Sequence, residues 1–224
     1  MTIPQMAKEF KDKTAICGVG LTIGSFPDKT PLSLAVDAYQ KALDDAGLKR
    51  GDVDGIIQLA YGSDYDRFLE AVGTDVRYAN QGWTHGRFIA PMLQQAAMVV
   101  ASGMAKAVAV VHGRKGRQFG QLADHEMWRQ GLGPHGESPA YGAFSPALGV
   151  ALAVQRYFHM YGGSNADLAP IAVAFRKHAR LNPIAVRTDP MSTEDYLKSR
   201  WIVEPLRLFD CCQNNDGGDR KSVV

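Results

Sequence analysis

Apolar and polar positions follow two different periods along the first half of the chain. Residues 14–19 (TAICGV) form a short apolar run of strand formers that stops at Gly20. Pro31 and Ser33 then open a helix. Its apolar positions Leu32, Val36, Tyr39, Leu43 and Ala46 recur every three or four residues, and Gly47 stands where a C-terminal glycine belongs. Residues 55–60 (GIIQLA) read as a second, buried strand after a polar turn. Residues 64–72 predict a short helix and residues 76–80 a third strand. From 88 to 102 the side chains are small or apolar nearly all round, apart from Gln94 and Gln95, which predicts a helix buried on most sides. Residues 107–111 (AVAVV) predict a strand buried on both faces. Strands that alternate with helices in this way specify an α/β layered fold with a largely parallel sheet.

The pattern breaks after His112. Residues 113–145 are rich in glycine and show little periodicity, so they read as a long excursion serving a site or an inserted subdomain. Helical spacing returns at 146–161 and 166–181. Ser192 with Asp195 three residues later is a capping box opening a helix that runs to about residue 200. Residues 206–212 then head back to the sheet, with Cys211 and Cys212 expected to be buried there.

Composition narrows the function classes. The 224 residues are 46% hydrophobic and 21% charged, an ordinary globular balance. A net charge of +2 and six scattered histidines give no concentrated basic face, which argues against a nucleic-acid partner. Arg114, Lys115 and Arg117 are the one dense basic cluster, read either as a solvated loop or as a contact for an anionic group such as a nucleotide phosphate. Three cysteines, two of them adjacent, do not make a disulfide framework, and the charged leader lacks the apolar core of a secretion signal. No run is long enough to span a membrane, so a cytoplasmic setting is expected. The glycines form no phosphate loop and no dinucleotide fingerprint.

Several blocks together resemble the thiolase superfamily, in particular sterol-carrier-type thiolases and lipid-transfer-protein-like aldolases. They are AICGVGLTIGSF, PLSLAVDAYQKALDDAGLKRGDVDGII, QQAAMVVASGMAKAVAVVHG, YGAFSPALGVALAVQRYFHMYG, RKHARLNPIA and DPMSTEDYLKSRWIVEPLRLFDCCQNNDGG. Their order covers nearly the whole chain. The resemblance implies a layered β-α-β-α-β half with an inserted loop domain. Residues 1–113 would form the N-terminal core, 114–204 the insertion, and 205–224 the return to the core sheet. After Gly218 the family's small, β-branched strand gives way to Asp219-Arg220-Lys221-Ser222. That charged stub reads as a truncation, a frameshift or a misread gene end before the second half.

The resemblance also implies acyl-CoA chemistry, with the thioester as substrate, no resident cofactor and no metal. Thiolysis needs a cysteine at the start of the buried helix, where the helix dipole favours a thiolate. Here the segment reads Gly82-Trp83-Thr84-His85-Gly86-Arg87-Phe88 and holds no cysteine. Retro-aldol cleavage next to the thioester is therefore favoured over thiolysis. His85 is the candidate catalytic group, for proton transfer or oxyanion binding, against the alternative of a histidine bonded only to backbone. Tyr141 and Gly142 match the segment lining the thioester pocket. His178 and Arg180 match a block near the CoA arm, against the alternative of cations at a helix C-terminus. Cys17, Cys211, Cys212 and His112 are read as structural. Expected partners are a second copy or a complementary thiolase-like chain, and a small zinc-ribbon/OB-fold protein. The other readings are a non-catalytic chain that binds acyl-CoA or lipid, or a gene fragment.

Overall fold

The computed structural model describes residues 10–59, 65–82, 89–115, 146–213 and 215–223, with the backbone alone at 146 and 219–223. The chain divides into two compact units, residues 1–116 with 215–224, and residues 117–214. The boundaries expected from sequence are 113/114 and 204/205.

The first unit opens with β1 (Ile16–Gly24), α1 (Pro31–Ala46), β2 (Gly55–Leu59) and α2 (Tyr65–Val72). It continues with β3 (Tyr78–Gly82), α3 (Ile89–Ala101) and β4 (Val108–Arg114). A last strand, here β7 (Asp216–Val223), completes a five-stranded sheet of order β1-β7-β4-β2-β3. β2 runs parallel to both β3 and β4, whereas β7 runs antiparallel to both β1 and β4. Four of the five strands therefore run the same way, in line with the largely parallel sheet expected from sequence, and β7 alone runs against them.

Local chemistry explains the first helix. The Thr30 hydroxyl accepts from the Ser33 amide and the Ser33 hydroxyl accepts from the Thr30 amide, a reciprocal cap just ahead of Pro31. At the other end Gly47 takes φ +66°, a left-handed conformation that favours glycine. α1 buries Ala35, Tyr39 and Leu43 with Phe68 and Val72 of α2 against Ile56, Ala109 and Val111 of the sheet. The opposite face packs Ala96 and Val99 of α3 on Ile57, Val108 and Val110. Adjacent strand residues point to opposite faces, so both faces of β2 and β4 are covered. Of α3 only Ala96 and Val99 are buried, and Met98 is half exposed. The expectation of a helix buried on most sides is corrected to one buried stripe.

α1 lies unusually close to the sheet. A Cβ on Gly20 would sit 2.0 Å from the Ala38 carbonyl oxygen, and one on Gly113 would sit 2.1 Å from that of Pro31. Only a glycine surface lets the helix backbone approach so closely.

The charged stub expected after Gly218 is instead the second half of β7. Its backbone pairs on both sides, Arg220 opposite Gly20 of β1 and opposite Val111 of β4. Strand propensity is poor in DGGDRKSV, but two flanking strands with free ladder positions override it.

The second unit holds α4 (Pro146–Tyr161), α5 (Asn165–Ala179) and α6 (Thr193–Lys198), then β5 (Trp201–Val203) and β6 (Leu206–Arg207). Ser192 and Asp195 form the expected capping box. Among the described residues β6 pairs with β5, in a separate two-stranded ribbon. The expectation that residues 206–212 return to the main sheet is therefore corrected, and the return comes at Asp216. Cys211 is half-buried and Cys212 exposed, where both were expected inside. Both follow a 3-10 turn at Leu208–Asp210 rather than a sheet strand, which leaves them beside solvent.

Candidate active site

Strands β1, β2, β3 and β4 all point the same way, so their C-terminal ends share one edge of the sheet. Ligands collect at that edge in open α/β sheets, because helices on opposite faces diverge there. The connections after β2, β3 and β4 all depart from it. His85 falls in the β3–α3 connection, residues 83–88, and lies outside the described residues. Tyr141 and Gly142 also lie outside them.

At the same edge three chain segments meet. The Lys115 ammonium forms an ion pair with Asp216 at 2.7 Å and donates a hydrogen bond to the Phe26 carbonyl. The Asp216 carboxylate accepts the Phe26 amide at 2.8 Å and is nearly buried. Lys115, read from sequence as a possible anion contact, is committed to this carboxylate. His112 lies three residues earlier on β4, in register with Asp219 of β7.

His178 occupies the last turn of α5, and Arg180 is its C-terminal cap residue. Both side chains are exposed, and the Arg180 amide donates to the Arg176 carbonyl. The geometry places this pair on a helix end carrying Arg176 and Lys177 as well, an arrangement that the helix dipole also favours. Among the described residues no group of three or more His, Cys, Asp or Glu side chains could hold a metal ion. No helix of the described residues is long and apolar enough to cross a membrane.

The second unit contains a polar network that the sequence did not disclose. Tyr196 is fully buried, and its hydroxyl donates to both Asp210 oxygens at 2.8 and 3.0 Å. The same carboxylate accepts the Arg207 amide at 2.7 Å, and the Arg207 guanidinium lies 3.7 Å above the Trp201 ring. The only sequence signal was the three-residue spacing from Arg207 to Asp210. Burial, followed by the bond to Asp210, pushes the Tyr196 hydroxyl up to about 12 from 10.0. Burial first, then the neighbouring Asp210 charge, raises the Cys211 thiol, which disfavours a nucleophilic thiolate there.

The raised Tyr196 value has a consequence at alkaline pH. Unfolded tyrosine loses its proton near pH 10, while the folded residue keeps it until about pH 12. This group's stability is complete below pH 10 and is lost as pH rises toward 12, by up to about 2 kcal/mol. Denaturant midpoints across that range should fall in the native chain and fall less in Tyr196→Phe. Equal slopes in the two proteins would exclude the linkage.

No family model matches the chain. It is 35% identical over 227 aligned positions, 94% of its length, to a steroid side-chain-cleaving aldolase of Thermomonospora curvata. It is equally 35% identical, over 92% of its length, to a 17-hydroxy-3-oxo-4-pregnene-20-carboxyl-CoA lyase of Mycobacterium tuberculosis. The chain spans about half the length of these curated relatives, 56% and 55%. Among solved structures, an Ltp2–ChsH2(DUF35) aldolase superposes with a TM-score of 0.77 at 34% identity, over 95% of this chain and 55% of that one. A monomeric SCP2-thiolase-like protein of Mycobacterium smegmatis shares the fold, with a TM-score of 0.69 at 20% identity over 95% of this chain and 46% of that one. In sequence, over nearly its whole length, the chain resembles the steroid side-chain-cleaving aldolase, the carboxyl-CoA lyase and the Ltp2–ChsH2(DUF35) aldolase, and in fold it also resembles SCP2-thiolase-like proteins.

Proposed function

We propose that the chain is part of a thiolase-like acyl-CoA enzyme that breaks or forms a C–C bond next to a thioester carbonyl, by retro-aldol chemistry rather than thiolysis. The observation that carries this reading is the 34–35% identity, over more than nine-tenths of the chain, to proteins described as aldolase or carboxyl-CoA lyase. The lack of a cysteine in residues 82–88 agrees with it, since no acyl-enzyme can form at that position.

The substrate would be a CoA thioester with a hydroxyl on the β carbon. A base takes the hydroxyl proton, the Cα–Cβ bond breaks, and the β carbon becomes a carbonyl. The electron pair moves into the thioester as an enolate, which hydrogen-bond donors stabilise before a proton returns to the α carbon. His85, between β3 and the start of α3, is our candidate for proton transfer or for the enolate oxygen. Tyr141 and Gly142 would line the thioester pocket, and His178 and Arg180 would meet the CoA arm. CoA enters as substrate, with no resident cofactor proposed.

The activity is proposed for the whole fold, of which this chain matches about half in its curated relatives, together with a second copy or a complementary thiolase-like chain as partner. On β1, Val19, Leu21 and Ile23 stand 39–49% exposed on the face opposite α1, an apolar stripe suited to cover by another protein layer. The outer edge of β1 is occupied by α1, with the Asp45 carboxylate on the Val19 amide and the Lys41 ammonium on the Leu21 carbonyl. β3 is the opposite edge, and we place strand pairing between copies there. A small zinc-ribbon/OB-fold protein is a further proposed partner, in keeping with the two components named for the Ltp2–ChsH2(DUF35) aldolase.

A second reading, a non-catalytic acyl-CoA-binding or partner chain, is favoured by the exposed apolar stripe of Val19, Leu21 and Ile23 on β1. Calorimetric titration with a β-hydroxyacyl-CoA, followed by a turnover assay of the same sample, separates the two. We expect saturable binding by the chain alone and turnover only after a complementary half is added. Robust turnover by the isolated chain would overturn the two-half assembly, and binding without turnover in every mixture would favour the second reading.

A further inference from the structure

The chain crosses between its two units twice, after Gly116 and before Asn215. The residues on the first unit's side of those crossings, Lys115 and Asp216, are the ones that form the ion pair at the sheet edge. Nothing in their sequence separation of 101 residues suggests that they meet. Both also bond to one peptide group, because Asp216 accepts the Phe26 amide while Lys115 donates to the Phe26 carbonyl. A cation, an anion and a peptide dipole thus close a ring of three charge-assisted hydrogen bonds, with Asp216 9% exposed.

The surrounding backbone makes that ring the natural weak point. The ladder reaches the neck through Gly24 opposite Asp216 and Arg114 opposite Gly217. Gly24 and Gly217, at the end of the ladder, supply no side chains to pack across it. Deeper in the sheet, β2 and β4 are held by covered apolar faces. Ladder ends with few apolar contacts open at low free energy, so polar fastening dominates there.

We propose that Lys115, Asp216 and the Phe26 peptide form a clasp that fixes the two neck segments of the insertion together on the first unit's sheet. Releasing the clasp frays the neck and leaves the rest of the sheet folded. This inference concerns the fold alone and stands whether or not the proposed catalysis is correct.

The Phe26 amide is a built-in reporter, since its hydrogen bond goes to the Asp216 carboxylate. Amide hydrogen exchange is followed residue by residue in the native chain, Lys115→Met, Asp216→Ala and the charge-swapped double variant Lys115→Asp/Asp216→Lys. Exchange at Phe26, Arg114, Gly217 and Gly218 should rise about tenfold in Asp216→Ala and by a smaller factor in Lys115→Met. Ile57 and Val110 should keep their native protection. The swapped pair should recover part of the lost protection at Phe26, because an aspartate at 115 can take over the amide. If Asp216→Ala does not fold, Lys115→Met alone decides, since Asp216 still accepts the Phe26 amide in it. Native protection at the neck in Lys115→Met, or uniform loss across the whole sheet, overturns the clasp.

Discussion

Replacing Gly20 with valine is expected to cost about 3 kcal/mol of stability or more, enough to remove much of the margin of a typical domain. The Cβ alone would lie 2.0 Å from the Ala38 carbonyl oxygen and 2.7 Å from the Ala42 amide nitrogen. Both atoms belong to helix backbone, which cannot rotate away as a side chain can. α1 would have to lift off β1, and its contacts with β4 and β7 would loosen with it. The same contact recurs at Gly18, Gly113 and Gly218, so one helix is seated on glycines from three adjacent strands. Gly149→Ala in α4 is the control, because among the described residues nothing lies within 4 Å of its Cβ position. It should raise stability by about 0.5–1 kcal/mol through helix propensity. Urea denaturation of the two variants tests both signs at once. A Gly20→Val chain within about 0.5 kcal/mol of native would show that α1 does not sit where described.

Removing the Asp210 carboxylate should have the second largest effect, about 2–4 kcal/mol, confined to the second unit. The loss has two parts. The Tyr196 hydroxyl, fully buried, loses both of its acceptor oxygens, and the Arg207 amide loses its cap. Tyr196 also anchors the small core formed with Ala169 and Ala172 of α5, so its displacement would reach that helix. Asp210→Ala should therefore accelerate amide exchange in α5 and α6 and leave β2 and β4 as they were. Tyr196→Phe should cost less, about 1–2 kcal/mol, because the half-buried carboxylate regains water. The Asp210→Ala/Tyr196→Phe double variant should cost less than the two single losses added together. Strict additivity would mean that the two groups do not interact, and the network would have to be abandoned.

Much of the first unit was legible in its residues. The period of Leu32, Val36, Tyr39 and Leu43, with Gly47 after it, marks α1 because those features act within one helix. The GII and AVAVV runs mark β2 and β4 because a strand covered on both faces admits only apolar residues. Ser192 with Asp195 marks α6 for the same local reason. Family resemblance added the candidate site positions, of which His178 and Arg180 fall together on one helix end.

Other features depend on residues far apart. The depth of α3 burial was misjudged because periodicity reports what a helix carries and not how much of it meets a neighbour. β6 went to a ribbon of its own because Trp201–Val203, a few residues earlier, offered the nearer strand. The tail at 216–223 shows the difference most plainly. Alone, DGGDRKSV has the composition of a solvated end. Between β1 and β4 it meets hydrogen-bonding partners on both sides, and Gly218 lets α1 come within reach. Sequence by itself determined the helices and the apolar strands β2 and β4, which are set by interactions within a dozen residues, and it carried the thiolase-like order of blocks. Tertiary structure alone decided that a charged segment becomes an interior strand, and that Lys115 and Asp216 meet at Phe26, since backbone ladders and ion pairs depend on which groups the fold brings together.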